Sequence, residues 1–283
     1  MLYVELYQKL KVVNKDISAI KCLLSVLREK NHVFLKKQTI VFAENGWNIL
    51  QELWETFQKS KEVCDYSHMP KESYEYLFEC LYAGTILKEK ITVYGIFCPG
   101  YEGNSYKHCL GNTTVEKMGN LKRLSNLLKS CKIDNVVVCI YADTFLENRL
   151  ETVEITDAFE YNKSLFMEKA LLYFNRGVLL SAFLKDALVV TDSYVDAEAM
   201  NLIASDVYEK FLECNREFYG TMDWNEERIR KRTEELLTLY LIVANKIKET
   251  KPSIYAAIEN MSERADLFVS KQIPVLFISK IRG

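Results

Sequence analysis

KITVYGIFC (90–98) and NVVVCIYADTF (135–145) are apolar, β-branched runs separated by a glycine-bearing segment and by TTVEKMGNLKRLSNLLKSCK (113–132). Pro99 and Gly100 bound the first run, and the second ends in Asp143. Strands that are apolar throughout, without polar alternation, suit a parallel sheet covered on both faces. The segment between them repeats apolar residues at helical spacing, and Thr113-x-x-Glu116 is a capping-box pattern that predicts the helix start. Strand, loop, helix and buried strand make a βαβ unit. The expected fold class is therefore α/β, with a Rossmann-like parallel sheet. Residues 90–98, 135–142 and 272–280 are expected in one sheet, the first two adjacent and parallel, with the 113–131 helix on one face.

Outward from this unit the chain reads as long helices with short connections. Residues 1–88 form a mostly helical N-terminal region, with apolar spacing in DISAIKCLLSVLREK (16–30) and a helix started by Pro70. Residues 89–283 form the Rossmann-like domain, helical in its C-terminal half. There YNKSLFMEKALLYFNRGVLLSAFLKD (161–186) reads as one helix and ALVVTDS (187–193) as a third strand. Helices are expected at about 195–219 and 224–249, and a third after Pro252. QIPVLFISKI (272–281) reads as a buried strand.

Composition narrows the function classes. Lys and Arg number 37 against 39 Asp and Glu, a net charge of −2, so the chain lacks the cationic excess of a DNA-coating protein. The apolar runs are too short to span a bilayer, and the N-terminus lacks a signal-peptide layout, which points to a cytoplasmic protein without membrane partners. Eight cysteines are scattered with no CxxC pair, so neither a disulfide framework nor a zinc site is expected, and most should be small buried hydrophobes. No metal or other cofactor is called for. The three histidines are isolated.

Five of only ten glycines (95, 100, 103, 111 and 119) crowd into 25 residues. Backbone freedom concentrated after a strand marks a functional loop. In open parallel sheets ligands bind outside the carboxyl ends of the strands. That rule selects Cys98, Tyr101, Glu102, Asn104, Tyr106, Lys107 and His108 after the first strand, and Asp143, Thr144 and Glu147 after the second. The N-terminus of the following helix and Lys107 would favour an anionic ligand group. The loop matches neither GxGxxG nor GxxxxGK[ST]. Gly95-Ile96-Phe97-Cys98-Pro99 fits the GxFxP of adenylyltransferases, but their histidines are absent at that spacing. RIRKR (228–232) lies among Glu226, Glu227, Glu234 and Glu235, which reads as a solvated helix face with i,i+4 pairs.

Pro99, Asn104, Lys107, Leu110-Gly111, Glu116 and Leu121-x-x-Leu124 together resemble the first loop and helix of the isocyanide synthase and dityrosine-precursor family. Ala142-Asp143-Thr144-Phe145 is similar to that family's next strand end, and Arg264 and Pro274–Ile281 stand where it has an Arg and a final strand. The family's Ser-x-His ending is here Ser279-Lys280-Ile281. The resemblance implies an enzyme of secondary metabolism condensing an amino acid with a sugar phosphate. Under it Lys107 binds phosphate or carboxylate, Asp143 holds the amine or acts as base, and Glu116 orients the loop. Cys98, Tyr101, Asn104, Tyr106, His108 and Arg264 would line the substrate site. A second resemblance, to tRNA-dependent cyclodipeptide synthases, rests on Asn104-Ser105-Tyr106 and Tyr255-x-x-x-Glu259, with Cys98 near the place of their serine nucleophile. It implies aminoacyl transfer from tRNA, docked on 228–232. The remaining reading, of another class, is a non-catalytic partner-binding module with a helical N-terminal interaction surface.

Overall fold

The computed structural model describes, with short gaps, residues 73–97, 101–106, 112–143, 153–184, 197–250, 252–257 and 262–277. Most of the N-terminal region expected to be helical lies outside these residues. Within it, Ser73, Tyr76, Leu77, Cys80, Leu81, Ala83 and Gly84 are helical.

Strand β1 (Ile91–Phe97) pairs in parallel with β4 (Asn135–Tyr141), in register from Ile91↔Asn135 to Phe97↔Tyr141. Between them stand a two-stranded ribbon, β2 (Tyr101–Glu102) and β3 (Ser105–Tyr106), and helix α1 (Asn112–Ser130). The expected βαβ unit is present. Helix α1 starts at Asn112, so Thr113 lies inside its first turn and not at the cap.

Downstream, three expectations are corrected. The helix expected over 161–186 is α2 (Val153–Phe174), and it stops where Gly177 opens strand β5 (Gly177–Leu179). A Cβ at Gly177 would stand 2.8 Å from the Ala170 methyl, so chain and helix approach closely there. A four-residue helix α3 (Leu180–Phe183) follows. The 195–219 helix is two pieces, α4 (Ala197–Asn201) and α5 (Ser205–Gly220), whereas α6 (Glu226–Lys248) runs nearly as expected, capped by Asn225 accepting the Arg228 amide at 2.9 Å. Pro252 starts no helix. It leads into strand β6 (Ser253–Ala257), and only then comes α7 (Ser262–Ser270), followed by β7 (Val275–Phe277). The ALVVTDS segment lies outside the described residues.

The five main strands are all parallel, in the order β5-β4-β1-β6-β7. In order of appearance in that sheet, this is 3-2-1-4-5. The chain builds from the centre to one edge, then returns to the other side of β1 for its last two strands. Each face of the sheet buries an aromatic set, because side chains alternate along a strand. Phe97 and Tyr141, register partners, both meet Phe166 of α2, at 5.1 and 5.3 Å between ring centroids. On the opposite face Tyr94 and Tyr255 are register partners. Tyr255 stacks on Phe268 of α7 at 4.0 Å, and Phe268 in turn meets Tyr240 of α6. The Tyr94 hydroxyl donates to Thr250 Oγ1 at 2.7 Å, since that hydroxyl donates onward to the Ile247 carbonyl. Helices thus cover both faces, and the strands' continuous apolar character follows.

Candidate functional site

Because all five strands are parallel, Phe97, Tyr141, Leu179, Ala257 and Phe277 end at one edge of the sheet. The strand order reverses between β1 and β6, and the crevice at such a reversal is where open parallel sheets bind ligands. Applied to the sequence alone, the same rule selects the ends of β1 and β4. With the observed order it selects β1 and β6, a strand the sequence does not announce. Helix α7 begins five residues beyond the end of β6, so its N-terminal amides belong to this end of the sheet.

Asp143 stands two residues past the end of β4 and is only 3% exposed. Its Oδ1 accepts the Ser181 backbone N–H at 2.9 Å, and its Oδ2 accepts the Ser181 hydroxyl. Ser181 is the second residue of α3, immediately after β5. Leu179, the residue before that helix, offers no capping side chain, so Asp143 supplies the cap from 38 positions away. One carboxylate therefore ties together the carboxyl ends of two neighbouring strands. No sequence signal connects the two residues, since neither spacing nor motif links them.

The glycine-rich loop contains a hairpin. Tyr101 pairs with Tyr106 and Glu102 with Ser105, leaving Gly103-Asn104 in the sequence as a two-residue connection. Gly-Asn between short paired segments is a hairpin signal that helical and strand periodicity do not weigh. The ribbon places the backbones of Tyr101 and Tyr106 opposite each other beyond the end of β1. Cys98, Asn104, Lys107 and His108 lie outside the described residues, as do Thr144 and Glu147.

Arg264 sits in the first turn of α7, with its guanidinium 4.6 Å from the centre of the Tyr240 ring. Glu116 is exposed on α1. Tyr255, proposed by resemblance as half of a Tyr/Glu pair, is a core residue stacked on Phe268, while Glu259 lies outside the described residues.

The 228–232 helix segment splits by residue. Arg230 bridges Glu226 at 2.9 Å one turn earlier, as expected of a solvated face. Arg228 lies 3.8 Å over the Trp224 ring, itself stacked on Tyr219 at 4.3 Å. Arg232 is buried, with Nη1 donating to Glu235 at 3.1 Å and Nε to the Tyr219 hydroxyl at 3.5 Å. Burial works against its charge, yet Tyr219 and Glu235 more than offset this and hold its pKa above the ordinary guanidinium value. That buried arginine is a structural member, which the i,i+4 pattern does not distinguish from its exposed neighbours.

Of the cysteines, Cys80 and Cys139 are buried, Cys131 is half-buried and Cys214 is exposed. Burial alone pushes the Cys139 thiol far above its ordinary value. Among the described residues no group of three or more His, Cys, Asp or Glu could hold a metal ion, and no helix is long and apolar enough to cross a membrane. Comparison with protein-family models, curated proteins and solved structures finds no match.

Proposed function

We propose that the chain is an enzyme of Rossmann-like architecture that acts on an amino-acid-derived, anionic small substrate. The observation that carries this reading is the reversal of strand order between β1 and β6, with the first turn of α7 and Arg264 at the same end. A helix N-terminus beside a guanidinium favours a carboxylate or phosphate, the groups that an amino acid and a sugar phosphate present. The resemblance adds the finer reading, an isocyanide-synthase-like condensation of the two. Lys107 then holds phosphate or carboxylate and Asp143 lies at the neighbouring strand end. Docking of tRNA on 228–232 receives less support, because Arg230 and Arg232 are engaged by Glu226 and Glu235.

The test is comparative metabolite mass spectrometry of cells overexpressing the chain or its Arg264→Ala variant, at matched levels of folded protein. The reading expects an amino-acid-derived product that accumulates with the unaltered chain and falls at least tenfold with the variant. Identical metabolite profiles, with and without the chain, would overturn it.

A further inference from the structure

We propose that Ser181 is a nucleophile, with Asp143 as the group that takes its proton, and that the pair transfers an activated acyl group. This goes beyond the function proposed above, and it does not depend on which residues hold an anion at β1 and β6.

Four exposed serines among the described residues differ in what their hydroxyls donate to. Ser130, Ser164 and Ser270 are exposed on helices, and their hydroxyls donate to the carbonyls of Leu127, Glu160 and Leu267. A carbonyl oxygen cannot keep the proton when the serine oxygen attacks. Ser181 is also exposed, but its hydroxyl donates to the carboxylate of Asp143, which can. That carboxylate is almost wholly buried, and its other oxygen is fixed by the Ser181 amide at 2.9 Å. The base is thus oriented, the nucleophile is accessible, and both lie at the carboxyl ends of adjacent parallel strands, where such sheets do chemistry.

The step balances as acyl transfer. Ser181 Oγ forms a bond to the acyl carbon of an ester or thioester donor, and its proton passes to Asp143 Oδ2. The bond from acyl carbon to the leaving alcohol or thiol breaks, and the leaving group takes that proton. Water or an amine then attacks the serine ester and gives its proton to Asp143. The Ser181 oxygen recovers the proton as the acyl product departs.

The experiment is labelling of the intact protein with a fluorophosphonate, followed by peptide mass spectrometry to locate the adduct. Phosphorus bonds to Ser181 Oγ, fluoride leaves, and the serine proton goes with it. Ser181 should be modified at least tenfold faster than Ser130, Ser164 and Ser270, which serve as internal references in the same sample. Asp143→Asn keeps an oxygen to accept the Ser181 amide but loses the proton acceptor, so it should slow labelling at least tenfold while thermal melting shows a folded chain. Equal labelling of all four serines, or no adduct on Ser181, would overturn the proposal. So would undiminished labelling of folded Asp143→Asn. If that variant does not fold, the ratio among the four serines of the unaltered protein decides.

Discussion

The Ser73 hydroxyl donates to the Val275 carbonyl and accepts the Val275 amide, each at 2.8 Å, joining residues 202 positions apart. Val275 belongs to β7, the last strand of the sheet, so a single side chain takes both of its backbone groups. A sheet edge needs such a partner, because unpaired buried amides and carbonyls are costly. Ser73→Ala would leave both groups unsatisfied at a site where Ser73 and Val275 are fully buried. The expected loss is about 1–3 kcal/mol per orphaned group. Urea denaturation measures it, and an unchanged midpoint would show that the edge is satisfied otherwise.

Gly84 gives a second stability test. A Cβ there would stand 2.7 Å from Ile133 Cγ2 and 2.9 Å from Ile91 Cδ1, both core side chains. Alanine would gain roughly 0.5–1 kcal/mol in helix propensity, but overpacking a filled core costs about 1–3 kcal/mol. Gly84→Ala should therefore lower the melting temperature. Ile133→Val keeps Cγ2 and should not rescue it, whereas Ile133→Ala combined with Gly84→Ala should cost less than the two single losses added. Strict additivity in that cycle would show that the two side chains do not meet.

How far these features were legible depended on length and on partner distance. Strands β1 and β4 announce themselves, since ITVYGIF and NVVVCIY are rich in β-branched and aromatic residues and carry no helical period. Strand β5 has three residues, and its Val178 and Leu179, with Phe183 beyond it in α3, continue the helical spacing of α2, so periodicity reads through it. Strand β6 follows a proline that also suits a helix start, and Ile254-Tyr255-Ala256-Ala257 favours neither state strongly. Missing β6 hides the strand-order reversal, which is why the sequence places the crevice at β1 and β4. Asp143 was visible as a strand-end acid. Its partner Ser181 was not, because a trans cap depends on how two loops meet.

The arginines of α6 separate by burial. Arg232→Ala would leave Glu235 and the Tyr219 hydroxyl without their cation in a setting where Arg232 and Glu235 side chains are 8% and 14% exposed. Removing one partner of such a pair costs roughly 3–5 kcal/mol. Arg230→Ala removes an exposed bridge and should leave the melting temperature nearly unchanged. Differential scanning calorimetry of both variants decides, and equal losses would contradict the assignment. Any test of nucleic-acid docking should therefore change Arg228 and Arg230 while leaving Arg232 in place.

Thiol reactivity is expected to follow burial. Only the thiolate attacks iodoacetamide, and burial keeps the Cys139 thiol protonated across the working range of pH. The direction of the shift means that raising pH from neutral to mildly alkaline should speed modification of exposed Cys214 and leave Cys139 unmodified in the folded chain. Both should react at similar rates in urea. Modification of Cys139 in native buffer, followed by mass spectrometry, would indicate that the strand opens locally.

The last expectation concerns Arg264. Its guanidinium stands 4.6 Å from the centre of the Tyr240 ring, close enough to gain from the ring's negative face, and its place in the first turn of α7 adds positive charge to the helix dipole at one end of the sheet. If an anionic group binds there, losing a charge-assisted contact costs about 1.5–3 kcal/mol, roughly a tenfold to hundredfold loss of affinity. Inorganic phosphate serves as a probe: at millimolar concentration it should raise the melting temperature of the unaltered chain and have a much smaller effect on Arg264→Ala. Arg264→Lys keeps the charge but loses the planar guanidinium, so it should respond between the two. The lysine variant also separates binding from packing. Full phosphate response with a lowered baseline melting temperature would assign Arg264 to the Tyr240 contact alone and leave the anion to other groups at the β1 and β6 ends.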